Sequence, residues 1–233
     1  MVEFASSNFG LDMDNTWADT DSHMRVTLTA QVPNYIHYPF EPLVPDEDLP
    51  DEFKRQREDY MRYSPYIPQL SLLPGAKEGI EGLREIKHVG RLYTNTARKV
   101  NQEYAIRELL AIHHLSFDGL LLRGMEEDKL AGKLRHIVQN GIKYMIEDDG
   151  ITTILCAEVL EGGVYLKDHS WNQWVPRDPK IIRIHSVVDV PNALANRTPE
   201  EAFDRHAFGV QRDEEKFSRL LSKYPLSAYL LRA

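Results

Sequence analysis

The chain holds a single cysteine, Cys156, among its 233 residues, so an internal disulfide is excluded. It has no apolar run near the ~20 residues that a membrane span requires. Its start, MVEFASSNFG, lacks a basic segment followed by a long apolar one, which argues against a secretory signal. With no disulfide framework and no membrane segment, a cytoplasmic location is the expectation. Positive charge is also in deficit: 28 Lys and Arg stand against 36 Asp and Glu, a net charge of −8. That balance argues against extended nucleic-acid binding, which draws on a basic surface. It leaves room for a small phosphorylated ligand, which a few local cations can hold. Internal repeats and low-complexity tracts are lacking as well. What remains, 42% apolar and 27% charged, is the composition of a globular protein with a substantial core.

Within that composition, the segment FGLDMDNTWADT stands out. A short apolar strand runs into Asp12 and Asp14, with a hydroxyl at Thr16. Aspartate is a poor strand former, so two at a strand end point to a site. Alternation turns Asp12 and Asp14 the same way, toward the crevice where open α/β sheets bind ligands. Such a pair can hold a hard cation through oxygen, and a carboxylate can attack an electrophile.

Further along, GRLYTNTARK ends an apolar run in Thr94, Asn95 and Thr96. The segment DKLAGKLRHIVQNG reads as a helix, with Asp128 as N-cap and Gly141 as its stop. It carries Lys129 and Lys133 into IKYMIEDDG, a second apolar strand that ends in Glu147, Asp148 and Asp149. Three adjacent acids after an apolar strand repel one another unless a cation is near. Adjacent His113 and His114 lack metal-ligand spacing and read as a helix end, so no zinc site is expected.

From Gly75 onward, helix-like and strand-like segments alternate. GAKEGIEGLREIK, RKVNQEYAIRELLAIHHL, DKLAGKLRHIVQNG and ITTILCAEVLEG read as helices; HVGRLYT, FDGLLL, IKYMI, GVYLKD and IIRI read as strands. In the second helix Val100, Tyr104, Ile106, Leu109 and Leu110 fall roughly on one face. The fold class expected is α/β: a Rossmann-like parallel sheet with helices on both faces. Residues 19–73 interrupt the alternation with proline, tyrosine and charge. They read as a small, mostly helical cap inserted into a core of residues 1–18 and 74–233. The tail holds one or two amphipathic helices. Either cap or tail can support a homodimer; neither requires one.

Strand-DxDxT, strand-TN, helix-Lys and strand-EDD, in that order, resemble the four motifs of the haloacid dehalogenase (HAD) superfamily. LDMDNTWAD, SLLPGAKEGIEGLRE, MIEDDG and VYLKDHSWNQ are most similar to its 5′(3′)-deoxyribonucleotidase branch. The resemblance implies a magnesium-dependent phosphomonoesterase with an aspartyl-phosphate intermediate. Asp12 would be the nucleophile and Asp14 the general acid and base. Thr94, the backbone of Asn95, and Lys133 (in preference to Lys129) would hold the phosphate. Asp12, the backbone carbonyl of Asp14, and Asp148 would ligate magnesium, with Glu147 and Asp149 orienting waters or closing the site. Aromatic residues of the cap, with Trp17, Tyr35 and Tyr63 foremost, would meet a nucleotide base, and Trp17 would lie near the cavity mouth. The alternatives are a HAD phosphatase acting on another small metabolite or on a nucleic-acid 3′ or 5′ phosphate end, or a non-catalytic HAD-fold binding protein. A dehalogenase is disfavoured, because such enzymes generally need neither the second aspartate nor the metal.

Overall fold

The computed structural model describes residues 6–31, 50–208 and 210–230. Six strands form one sheet: β1 (Ser7–Leu11), β2 (Val89–Lys99), β3 (Gly119–Arg123), β4 (Ile142–Glu147), β5 (Gly163–Lys167) and β6 (Ile181–Ile184). Their order is β3-β2-β1-β4-β5-β6, and every neighbouring pair is parallel. The chain builds outward from β1 on one side, then returns to continue from its other side. The reversal places a crevice at the carboxyl ends of β1 and β4, where ligands of open α/β sheets bind.

Alternation along the strands produces two apolar layers. Phe9, Leu11, Tyr144, Ile146 and Tyr165 enter a core closed by α3 (Ala76–Glu85) and α4 (Glu103–Ile112). Met145, Val164 and Leu166 enter the other, closed by α5 (Lys129–Gln139) and α6 (Gly150–Val159). Helices therefore cover both faces, as a fully parallel sheet requires. After β6 come α7 (Asp189–Leu194), α8 (Pro199–Ala207), α9 (Glu214–Lys223) and α10 (Leu226–Leu230). Phe203 of α8 joins the first layer and Phe217 of α9 the second, so the tail packs on the core.

Between β1 and β2 lie α1 (Thr20–Gln31), α2 (Asp51–Arg62) and a 3-10 segment, Ser64–Gln69. Met24, Leu28 and Tyr60 form a small apolar cluster of their own there, with Met61 and Tyr66 packed on it. Ile67 and Leu70, at the end of this stretch, are buried in the main core instead.

Two local expectations need correction. Val100 and Tyr104 do not share the buried face of α4; they are exposed, while Ile106, Leu109 and Leu110 are buried. The helix starts only at Glu103, after a 3-10 turn at Val100–Gln102, which rotates its face. Strand β2 also continues past Thr94 to Lys99, because β3 goes on pairing with it beyond the end of β1.

Candidate active site

Register assembles the site. Leu11, the last residue of β1, lies opposite Thr94 on one side and Ile146 on the other. One step further, the backbone N–H of Asp12 donates to the Ile146 carbonyl at 2.9 Å. Asp12, Asn95 and Glu147 thus stand at one level across three strands. Gly10 permits this close approach, since a Cβ there would collide with Met145 Sδ.

Helix α5 brings the cation. Asp128 caps it, accepting from the backbone N–H groups of Leu130 and Ala131, an arrangement worth about 1 kcal/mol. The next turn presents Lys133, whose Nζ lies 2.7 Å from Asp12 Oδ1 and 2.7 Å from Glu147 Oε2. Asn95 holds the helix in place: its Nδ2 donates to the Lys133 carbonyl at 3.3 Å, and its Oδ1 accepts from His136 Nδ1 at 2.9 Å. Burial and the adjacent Arg135 depress the His136 pKa to about 4, so the ring is neutral there. Lys129 stays on the surface and meets Asp149 at 3.5 Å. Of the two candidate lysines, Lys133 is therefore the one at Asp12.

Asp12, Glu147 and Asp148 have carboxylate oxygens within 4.8 Å of one another, and all three are buried. Burial is the largest influence on each and pushes each upward; Lys133 opposes it, and neighbouring carboxylates add to it. Glu147 is raised to about 8, and Asp148 well above the ordinary carboxylate range. One ammonium does not neutralise three acids, so the cluster is short of positive charge. An all-oxygen donor set in that condition fits a hard divalent cation such as magnesium. The oxygens are not equally available. Glu147 has Oε2 on Lys133 and Oε1 accepting from the backbone N–H groups of Asp148 and Asp149. Among the described residues, Asp148 accepts a long bond from Thr16 Oγ1, 3.4 Å. Asp149 caps α6 by accepting from Thr152 N–H and is lowered to about 2; burial opposes that shift, and Lys129 with the cap bond overcomes it.

Thr94 is completely buried, and its Oγ1 has no hydrogen-bond partner among the described residues. Unpaired buried hydroxyls are costly and rare in native proteins, so an oxygen-bearing ligand suits this position.

Asp14 is held quite differently. Arg98 Nε donates to its Oδ2 at 3.0 Å, while Arg98 Nη2 and Thr20 Oγ1 donate to its Oδ1 at 2.7 and 2.6 Å. Burial works to raise its pKa, but the Arg98 guanidinium and Thr20 outweigh it and leave it lowered. The sequence reading missed Arg98 and Thr20. The sequence offered a basic residue four positions beyond Thr94 and no sign of its partner.

The aromatic residues expected to meet a base divide. Trp17 is not at a cavity mouth: it is fully buried against Phe117, with ring centroids 5.9 Å apart. Asn15 adopts a left-handed conformation (φ 56), and the backbone N–H groups of Trp17 and Ala18 return to the Met13 carbonyl. This tight turn carries the indole into the core. Tyr63 is 52% exposed at the end of α2 and packs edge-on against Tyr66, which stacks on Tyr60. Tyr35 lies outside the described residues. His113 and His114 do end a helix.

No protein-family model and no curated protein matches the chain. Solved structures do. A haloacid dehalogenase-like hydrolase from Streptococcus pneumoniae superposes with a TM-score of 0.56 at 17% identity, covering 79% of this chain and 96% of that one. The fold is that of the haloacid dehalogenase hydrolases. An L-2-haloacid dehalogenase gives a TM-score of 0.54 at 11% identity, covering 82% and 100%. The magnesium-bound HAD-hydrolase YfnB from Bacillus subtilis gives 0.53 at 13%, covering 82% and 99%. One HAD fold thus carries differing named activities, and the reaction has to be argued from the site. No helix among the described residues is long and apolar enough to cross a membrane.

Proposed function

We propose that the chain is a magnesium-dependent phosphomonoesterase that works through an aspartyl-phosphate on Asp12, with nucleoside monophosphates as the favoured substrate class. The observation that carries this reading is the buried cluster at the β1/β4 crevice, where Asp12 shares Lys133 with Glu147 beside Asp148.

Asp12 has Oδ1 on Lys133, and its carboxylate would attack phosphorus. Lys133 and Thr94 Oγ1, with the Asn95 backbone N–H, would hold the phosphoryl oxygens. Asp12, Asp148 and the Asp14 carbonyl would hold magnesium, while Glu147 stays bound to Lys133. When bound, the metal supplies the positive charge that lets an anionic nucleophile approach an anionic ester. Asp14 would protonate the leaving oxygen and later take a proton from the attacking water. Residues 19–73 would act as the cap, with exposed Tyr63 offering a face for a base; such stacking is worth roughly 1–3 kcal/mol.

Phosphate release from mononucleotides and sugar phosphates, with magnesium or with excess chelator, tests this reading. It predicts metal-dependent release that favours nucleotides and is lost in Asp12→Asn. Release from sugar phosphates alone would retain the chemistry and replace the substrate. Release that survives both chelation and Asp12→Asn would end the reading.

A further inference from the structure

In the conformation described, Arg98 and Thr20 hold both oxygens of Asp14, with two bonds on Oδ1 and one on Oδ2. Arg98 has a further attachment. Its Nη1 donates to the Met61 carbonyl at 2.8 Å, and Gln102 Nε2 donates to the same oxygen at 2.8 Å. Met61 lies in the last turn of α2, where helix carbonyls lack partners within the helix. The Arg98 backbone is fixed as well, its N–H donating to Thr96 Oγ1 at 3.2 Å. One buried guanidinium therefore spans β2, the second aspartate and the end of α2. Its planar fork allows three simultaneous bonds that a lysine cannot reproduce.

We propose that Arg98 is a latch that keeps Asp14 out of the reaction until α2 moves. It is a positioning residue, and its role rests on the phosphomonoesterase reading above. Turnover requires Asp14 to leave Arg98. Breaking a buried charged pair outright leaves an uncompensated charge, so the exchange needs new acceptors for Nε and Nη2. A substrate brings them, as hydroxyl, carbonyl or acid oxygens near the ester. Engaging Arg98 and freeing Asp14 become one event. The latch thus favours phosphomonoesters whose alcohol portion is polar and long enough to reach Met61, and it discriminates against minimal esters.

The test is kcat/KM, which reads through departure of the leaving group, for two esters with magnesium. p-Nitrophenyl phosphate has a leaving group that needs no proton. Ethyl phosphate has one that does, and it is too small to reach α2. A latch held mostly shut lowers the apparent rate by its open fraction, so the ethyl-to-nitrophenyl ratio should rise about tenfold in Arg98→Met. It should rise by a smaller factor in Gln102→Leu, which loosens Met61 and spares the Asp14 pair. Should Arg98→Met not fold, Arg98→Lys, which keeps the charge but not the three-way span, takes its place. A ratio that falls or stays constant in the folded variants overturns the latch while leaving the phosphatase reading intact. A wild-type protein that releases phosphate from neither ester nor any mononucleotide overturns both.

Discussion

Asp12 and Asp14 are two residues apart, leave the same strand and are buried alike, yet they are displaced in opposite directions. Asp12 shares one lysine with Glu147 and lies close to Asp148, so burial and like charge prevail and its pKa rises. Asp14 has a guanidinium across both oxygens and a threonine hydroxyl besides, and its pKa falls in spite of burial. The number of donors per carboxylate, not depth, separates them. One aspartate stands in a pocket that calls for a further cation. The other is already neutralised, and has to give up its partner before it can move a proton.

The most severe way to unbalance the pair is to remove the ammonium of Lys133 at Asp12. Lys133→Met leaves Asp12 and Glu147 without their partner, which should cost about 3–5 kcal/mol of stability in urea melts. Phosphate release should drop by about 10²-fold or more. Lys129→Ala should stay within about 1 kcal/mol of the parent, because its pair is exposed. Equal losses in the two variants would break the distinction drawn between them.

Magnesium sharpens the contrast from the other side. Glu147 is raised to about 8 in the fold against an ordinary 4.5. Between those values the unfolded chain is ionised while the folded one keeps its proton, so metal-free stability falls as pH rises through that window. A bound cation favours the ionised form. The rise in Tm caused by magnesium should accordingly be larger at pH 8 than at pH 6, and Asp148→Asn should reduce it. A shift independent of pH would contradict the charge deficit assigned to the cluster.

A smaller effect should come from the support beneath Lys133. His136 has a folded pKa of about 4 against an ordinary 6.5. Between those values the unfolded chain binds the proton and the folded one does not, so this contribution to stability is present above pH 6.5 and is lost as pH falls toward 4. Chemical melts from pH 7 to 4 should show a shallower decline in His136→Gln than in the parent.

Most of this architecture could be read in advance, because strand apolarity, helix caps and carboxylates at strand ends are local signals. The alternation of elements implied the parallel sheet. DxD and EDD marked the strands that meet at the crevice, and the position of Lys133 in its helix brought it to Asp12. Features set by pairing between distant segments stayed hidden. Nothing near Arg98 announces a partner 84 residues away, or that β2 outruns β1 to deliver it. Trp17 follows Thr16 directly and was expected at the mouth, but the left-handed turn at Asn15 sends it into the core. Tyr104 fits a helical face on paper and is 81% exposed, because the helix begins later than its apolar spacing implies.

The central claim is that Asp12 itself bonds to phosphorus. Acid quenching during turnover with magnesium, followed by mass analysis of the peptide containing Asp12, addresses it directly. The account predicts a phosphoryl adduct on Asp12 that is absent with chelator and absent in Asp12→Asn. Rapid phosphate release with no adduct on that peptide, and undiminished in the variant, would contradict it.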